Sequence, residues 1–138
     1  MQDFSTDLKY NEDYLPIIIV LNRDREILYN RINKRVDIMM ESGLVDEVKK
    51  LLDMGYTKDL ISMQGIGYKE IVKYIEGEYT LQEAIEIIKR DSRRYAKRQI
   101  TWFKRYKDSK WFDLGEYDNQ EILKEDIMNY IENITKNV

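Results

Sequence analysis

Between Lys89 and Lys107 the chain reads KRDSRRYAKRQITWFKRYK, nine Lys/Arg against one Asp. This local +8 sits in a chain whose net charge is −3, so the remaining residues total −11. Basic charge gathered in one segment of an acidic chain is the electrostatic footprint of a polyanion, most often nucleic acid. Clustering matters more than overall pI, because counterion release scales with the number of cations that touch phosphates together. On a helix advancing about 100° per residue, Leu81, Ala84, Ile85, Ile88, Tyr95, Gln99, Trp102 and Phe103 share one side. Arg90, Arg94, Lys97, Arg98, Thr101 and Arg105 share the other. The competing reading is a solvated face that only keeps the protein soluble. A single-signed ridge beside aromatic and amide side chains favours a functional surface.

Other chemistry is narrowed by what the chain lacks. With no histidine and no cysteine, a Ser-His-Asp triad, a His general base, a disulfide, thiolate chemistry and Cys- or His-ligated zinc are all excluded. No GxxxxGK[ST] phosphate loop occurs; Gly65-Ile66-Gly67-Tyr68-Lys69 lacks both its spacing and its final hydroxyl. Carboxylates, Lys, Tyr and Arg remain. No apolar run approaches the roughly 20 residues that span a bilayer, and polar residues follow Met1 where a signal peptide would be apolar. No membrane partner is expected, and a reducing cytoplasm is the natural compartment.

The elements that must hold the basic segment follow from periodicity and capping. The length of 138 residues predicts one domain, 1–138, with a modest core. Residues 1–15 read as polar and irregular. Pro16 opens IIIVLN, a β-branched run that predicts a strand buried on both faces. Asn22 is placed to cap a first helix with Leu28, Ile32, Val36, Met39 and Met40 inward, closed by Gly43 in a left-handed conformation. A second helix is expected over Leu44–Asp53 and a third over about Tyr68–Glu76, ending at Gly77. Thr80 and Glu83 form a capping box for the long basic helix. Residues 110–114 suit a short second strand, and Leu123, Ile127, Tyr130, Ile131 and Ile134 mark a last amphipathic helix. The fold class is therefore mainly α with two short strands. A buried parallel strand needs neighbours on both sides. The run at 16–21 thus belongs to a larger α/β sheet, or pairs with 110–114 as a two-stranded ribbon under helices. An exposed edge there invites strand-mediated self-association.

Three blocks together resemble one family, the tRNA dimethylallyltransferases (tRNA isopentenyltransferases). Residues 23–47, RDREILYNRINKRVDIMMESGLVDE, are similar to its Arg-rich helix and Gly-Leu-x-x-Glu turn. Residues 63–70, MQGIGYKE, match its Ile-Gly-Tyr-Lys/Arg signature, and residues 89–103 include its Ala-Lys-Arg-Gln-x-Thr-Trp block. The resemblance covers roughly residues 14–114. It implies transfer of a dimethylallyl group from dimethylallyl diphosphate to the exocyclic amine of the adenine 3′ to the anticodon. It further implies an ATP-binding-type phosphate-loop core, a general-base aspartate, Mg2+ and a helical insertion, none of which this chain carries. The expectation is the C-terminal part of a P-loop-type α/β enzyme, inactive alone, with the N-terminal half missing and no cofactor of its own.

Carried over residue by residue, the resemblance assigns tRNA contacts to Gln64, Gly65, Ile66, Gly67, Tyr68 and Lys69. It assigns a second set to Lys97, Arg98, Gln99, Ile100, Thr101, Trp102, Phe103 and Lys104. Gly65 and Gly67 would let the backbone approach a phosphate or base, or simply link two helices. Lys97, Arg98 and Lys104 suit the backbone of the anticodon stem-loop. Gln99, on the mostly apolar side and expected to be buried, is either a structural bridge or a reader of the loop; for Trp102 and Phe103 core packing is favoured over base stacking. Arg31 and Arg35, one helical turn apart, suit a diphosphate or ordinary ion pairs with Asp24, Asp37 or Glu41. The rivals from other classes are a stand-alone helical RNA-binding module without catalysis and a protein-interaction domain acting through its acidic helices.

Overall fold

A computed structural model describes residues 13–138. The irregular stretch expected at 1–15 therefore lies largely outside the described residues. The chain divides into two compact units, residues 23–103 and a unit made of the described residues 13–22 with 104–138.

The first unit is four helices: α1 (Arg25–Glu41), α2 (Leu44–Asp53), α3 (Tyr68–Ile75) and α4 (Leu81–Phe103), with a 3-10 turn at Ile61–Gln64. Asp24, not Asn22, starts α1. Its Oδ1 accepts the backbone N–H groups of Glu26 and Ile27 at 3.0 and 3.4 Å. Asn22 is still in strand geometry there, opposite Asp113, and cannot turn back to cap. Gly43 follows the end of α1 at φ +98° and serves at once as the N-cap of α2. That shared left-handed residue lets two helices meet with no loop between them. Val36, Leu44, Val48, Met63, Ile71, Val72, Ala84 and Ile88 form one buried cluster. Each buried Val, Leu, Ile or Met side chain contributes about 1.5–3 kcal/mol. Two polar contacts set α1 antiparallel along α4: Lys89 Nζ lies 2.7 Å from Asp37 Oδ1, and Arg93 Nη1 donates to Asn33 Oδ1 at 2.6 Å.

The predicted capping box is formed. Thr80 N–H donates to Glu83 Oε2 at 2.7 Å, and Glu83 N–H donates to Thr80 Oγ1 at 3.2 Å. The bond from the Thr80 backbone, then that from its hydroxyl, hold the Glu83 carboxyl below its ordinary value of 4.5. A depressed folded-state pKa gives stability that is present above the unfolded value and lost as pH falls through the folded one. Acidification below 4.5 is accordingly expected to fray the start of α4. Glu83→Gln should remove that component from a helicity-versus-pH titration by circular dichroism; an unchanged acid limb would refute the cap's role.

In the second unit, β1 (Ile19–Asn22) and β2 (Lys110–Asp113) pair in parallel, with Ile19 opposite Lys110 and Asn22 opposite Asp113. Among the described residues these two strands pair with each other, as expected for the run at 16–21 and residues 110–114. Burial on both faces does not hold: Val20 is buried, but Leu21 is 53% exposed. A two-stranded sheet offers its outer face no cover. α5 (Gln120–Lys136) starts where Asn119 Oδ1 accepts the Ile122 N–H at 2.9 Å. It packs Tyr130 edge-on against buried Phe112, centroids 6.3 Å apart. The architecture is mainly α with two short parallel strands, as the sequence predicts.

Candidate nucleic-acid interface

The first candidate segment, Gln64–Lys69, runs from the 3-10 turn into the first turn of α3. Its residues do not share one orientation. Gln64, Gly65 and Lys69 are exposed, whereas Ile66 and Tyr68 are half-buried and Gly67 is buried. Gln64 Nε2 reaches back to the Asp59 carbonyl at 3.4 Å. The Tyr68 hydroxyl donates to Glu47 on α2, and that bond, with burial, raises its phenol above the usual range. Tyr68 therefore ties α2 to α3.

The two glycines serve different purposes. Gly67 has φ +102°, and a Cβ there would meet Leu44 Cδ2 at 3.7 Å and Met39 Cε at 3.8 Å. Its close approach is to the protein's own core. Gly65 has φ −64°, and a Cβ would meet only the Ser62 carbonyl, at an ordinary 3.7 Å. The fold thus requires glycine at 67 and not at 65. Gly67→Ala is expected to cost about 1–3 kcal/mol of stability. Gly65→Ala should leave thermal unfolding unchanged. Equal melting shifts in the two variants would contradict this division.

The second segment, Lys97–Lys104, crosses from the end of α4 into the second unit. Lys97, Arg98, Gln99, Thr101 and Lys104 are exposed and Ile100 is half-buried. Two expectations fail here. Gln99 is not a buried amide, and Trp102 and Phe103 are 53% and 37% exposed instead of packed in the core. Fully buried positions on α4 end at Ile88. The apolar stripe continues past the part of α4 that the bundle buries. Thr101 Oγ1 is spent on the Lys97 carbonyl at 3.1 Å.

The ridge itself is uneven. At its start Arg90 Nε and Arg94 Nη1 lie 3.0 and 3.9 Å from the single carboxylate of Asp91. Lys97 and Arg98 have no carboxylate partner among the described residues; the Arg98 guanidinium lies 6.0 Å from the Tyr95 ring centroid. On α1, Arg31 and Arg35 are also exposed without an acidic partner among the described residues. Of the carboxylates named as partners for them, Asp24 caps α1 and Asp37 pairs with Lys89. Glu70 was not singled out in the sequence, although it stands three residues after Gly67, the spacing of a helix-starting acid. It is 2% exposed, and its Oε2 accepts the Gly67 N–H at 2.8 Å. No cluster of three or more carboxylates suited to a metal occurs among the described residues.

Comparison with known proteins fits this arrangement. The structure superposes with a TM-score of 0.79 on the full-length tRNA isopentenylpyrophosphate transferase of Bacillus halodurans, at 50% identity over 85% of this chain and 38% of that one. A second solved structure, the tRNA delta(2)-isopentenylpyrophosphate transferase of Staphylococcus epidermidis, gives 0.78 at 41% identity. The fold is thus that of part of a prenyl-group transferase. A family model described as IPP transferase matches residues 1–106, and the chain belongs to that family. It is 73% identical over 99% of its length to a tRNA dimethylallyltransferase of Clostridioides difficile, of which it covers 44%. Of a 57% identical namesake from Alkaliphilus oremlandii it covers 40%. The chain spans less than half the length of the curated relatives it matches.

Proposed function

We propose that this chain is the C-terminal, tRNA-gripping part of a tRNA dimethylallyltransferase. The observation that carries the reading is the exposed pair Lys97 and Arg98 on α4, inside the family's most specific sequence block and without carboxylate partners among the described residues. Cations so placed hold phosphate and orient a folded RNA without reading its sequence. Gln64, Gly65 and Lys69 supply a second exposed contact.

In the whole enzyme the target adenine leaves the stack to reach the donor, as base-modifying enzymes require. Its exocyclic amine attacks the allylic carbon of dimethylallyl diphosphate. The carbon–oxygen bond breaks, diphosphate departs with the bonding electrons, and the amine proton passes to a carboxylate base. This chain contributes no group to the proton transfer. Arg31 and Arg35, exposed, one turn apart and without an acidic partner among the described residues, suit the charge that develops on the departing diphosphate. Mg2+ also serves that diphosphate in this reading, but the described carboxylates offer no cluster to hold it. Under this reading the protein works in the cytoplasm; no described helix is long and apolar enough to cross a membrane. The outer edges of the β1–β2 ribbon, unpaired among the described residues, are where a strand from the rest of the enzyme, or from a second copy, would add.

The test is a chimera in which this segment replaces its counterpart in the Clostridioides difficile relative. Labelled dimethylallyl diphosphate should then prenylate an anticodon stem-loop RNA, while the 138-residue chain alone should bind that RNA and transfer nothing. Transfer by the isolated chain would overturn the division of labour. A chimera that binds RNA without turnover would favour the stand-alone RNA-binding module.

A further inference from the structure

We propose that Glu70 is the positioning residue of the Gln64–Lys69 turn, and that tRNA affinity depends on its carboxylate as an acceptor; this rests on the tRNA-gripping reading above. Glu70 is buried, yet both of its oxygens are turned to the turn's last residues. Oε2 accepts the Gly67 N–H at 2.8 Å, and Oε1 lies 3.5 Å from Lys69 Nζ. Its backbone carbonyl accepts the Tyr79 hydroxyl at 3.1 Å, which fixes the start of α3 from the segment ahead of α4.

A buried carboxylate is a costly way to stabilise a core, and an apolar side chain of similar volume usually does as well. What a carboxylate does that an apolar group cannot is accept the N–H of a residue in a left-handed conformation. Gly67, at φ +102° and buried, turns that N–H into the protein, where no other acceptor takes it. With the acceptor gone, the N–H would be an unsatisfied buried donor. The peptide would rotate to find water, carrying exposed Gly65 and Gln64 with it. The same carboxylate keeps the Lys69 ammonium, 45% exposed, near the turn instead of free in solvent. Glu70 touches no RNA in this account; it sets where the touching atoms stand.

The experiment uses the chimera with Glu70→Ala, Glu70→Gln and Glu70→Asp. Glu70→Ala is expected to raise KM for the anticodon stem-loop about tenfold, a 1.4 kcal/mol loss, with kcat and the KM for dimethylallyl diphosphate unchanged, the pattern of lost uniform binding. Amide exchange at Gly67 should accelerate in the same variant. Glu70→Gln keeps an acceptor of the same reach and should restore both readouts. Should Glu70→Ala fail to fold, Glu70→Asp, whose shorter arm withdraws the acceptor, should still bind RNA worse than Glu70→Gln. An unchanged RNA KM in Glu70→Ala, an equal loss in kcat and both KM values, or the reverse order of Gln and Asp would overturn the proposal. If Lys97→Ala with Arg98→Ala weakens RNA binding and Glu70→Ala does not, the positioning role alone falls. If neither does, the tRNA-gripping reading falls with it.

Discussion

Replacing Lys97 and Arg98 together with alanine is expected to weaken binding of an anticodon stem-loop by about tenfold or more at moderate salt. Hydrogen bonds to charged groups are worth about 1.5–3 kcal/mol each, discounted here because both side chains are solvent-exposed and screened. The sharper readout is the salt dependence. Each phosphate contact contributes roughly 0.7–0.9 to the slope of log K against log salt, so the pair should flatten it by about 1.4–1.8. Alanine is the better helix former, and neither side chain has an acidic partner among the described residues. Loss of fold is therefore no explanation for lost affinity. Unchanged affinity and slope would return the ridge to the role of a solubilising face.

The largest stability effect is expected from Ile71→Ala. Ile71 is fully buried at the centre of the cluster formed by α1–α4 and the 3-10 turn. Its loss removes three methyl(ene) carbons and leaves a cavity within that close-packed cluster. Truncations of this kind cost about 2–5 kcal/mol. Urea unfolding followed by circular dichroism should show the shift as a lower midpoint with the slope retained. A loss under about 1 kcal/mol would mean that the site collapses freely, contrary to the packing described.

What could be read from the chain depended on whether the governing signal was local. Helix limits near Gly43 and Gly77 and the Thr80–Glu83 cap are set by neighbouring residues, and they appear where periodicity and capping chemistry put them. Asn22 and Asp24 are both good caps; only strand pairing with Asp113 removes the first from contention. Trp102 and Phe103 show the other limit. Periodicity tells which side of a helix is apolar but not how far along that side its neighbours extend, and on α4 full burial stops after Ile88. At the candidate site, the Lys97–Arg98 cations were legible as charge. The inward turn of Gly67 and its reliance on Glu70 needed the backbone angle. Likewise, Arg31 and Arg35 could be named as a pair, but their freedom from Asp37 depends on Lys89, distant in sequence.

The pairing of Ile19–Asn22 with Lys110–Asp113 encloses everything from residue 23 to residue 109. Closing so long a loop is entropically expensive and yields only a short ladder in return. Within the bundle α1 meets α4 through Asn33 and Arg93, a shorter span of chain than the one between the two paired strands. Assembly is therefore expected to begin in the bundle, with the ribbon zipping up afterwards. During that interval the two strand segments are exposed backbone, the stage of biogenesis at which this polypeptide is most open to mispairing.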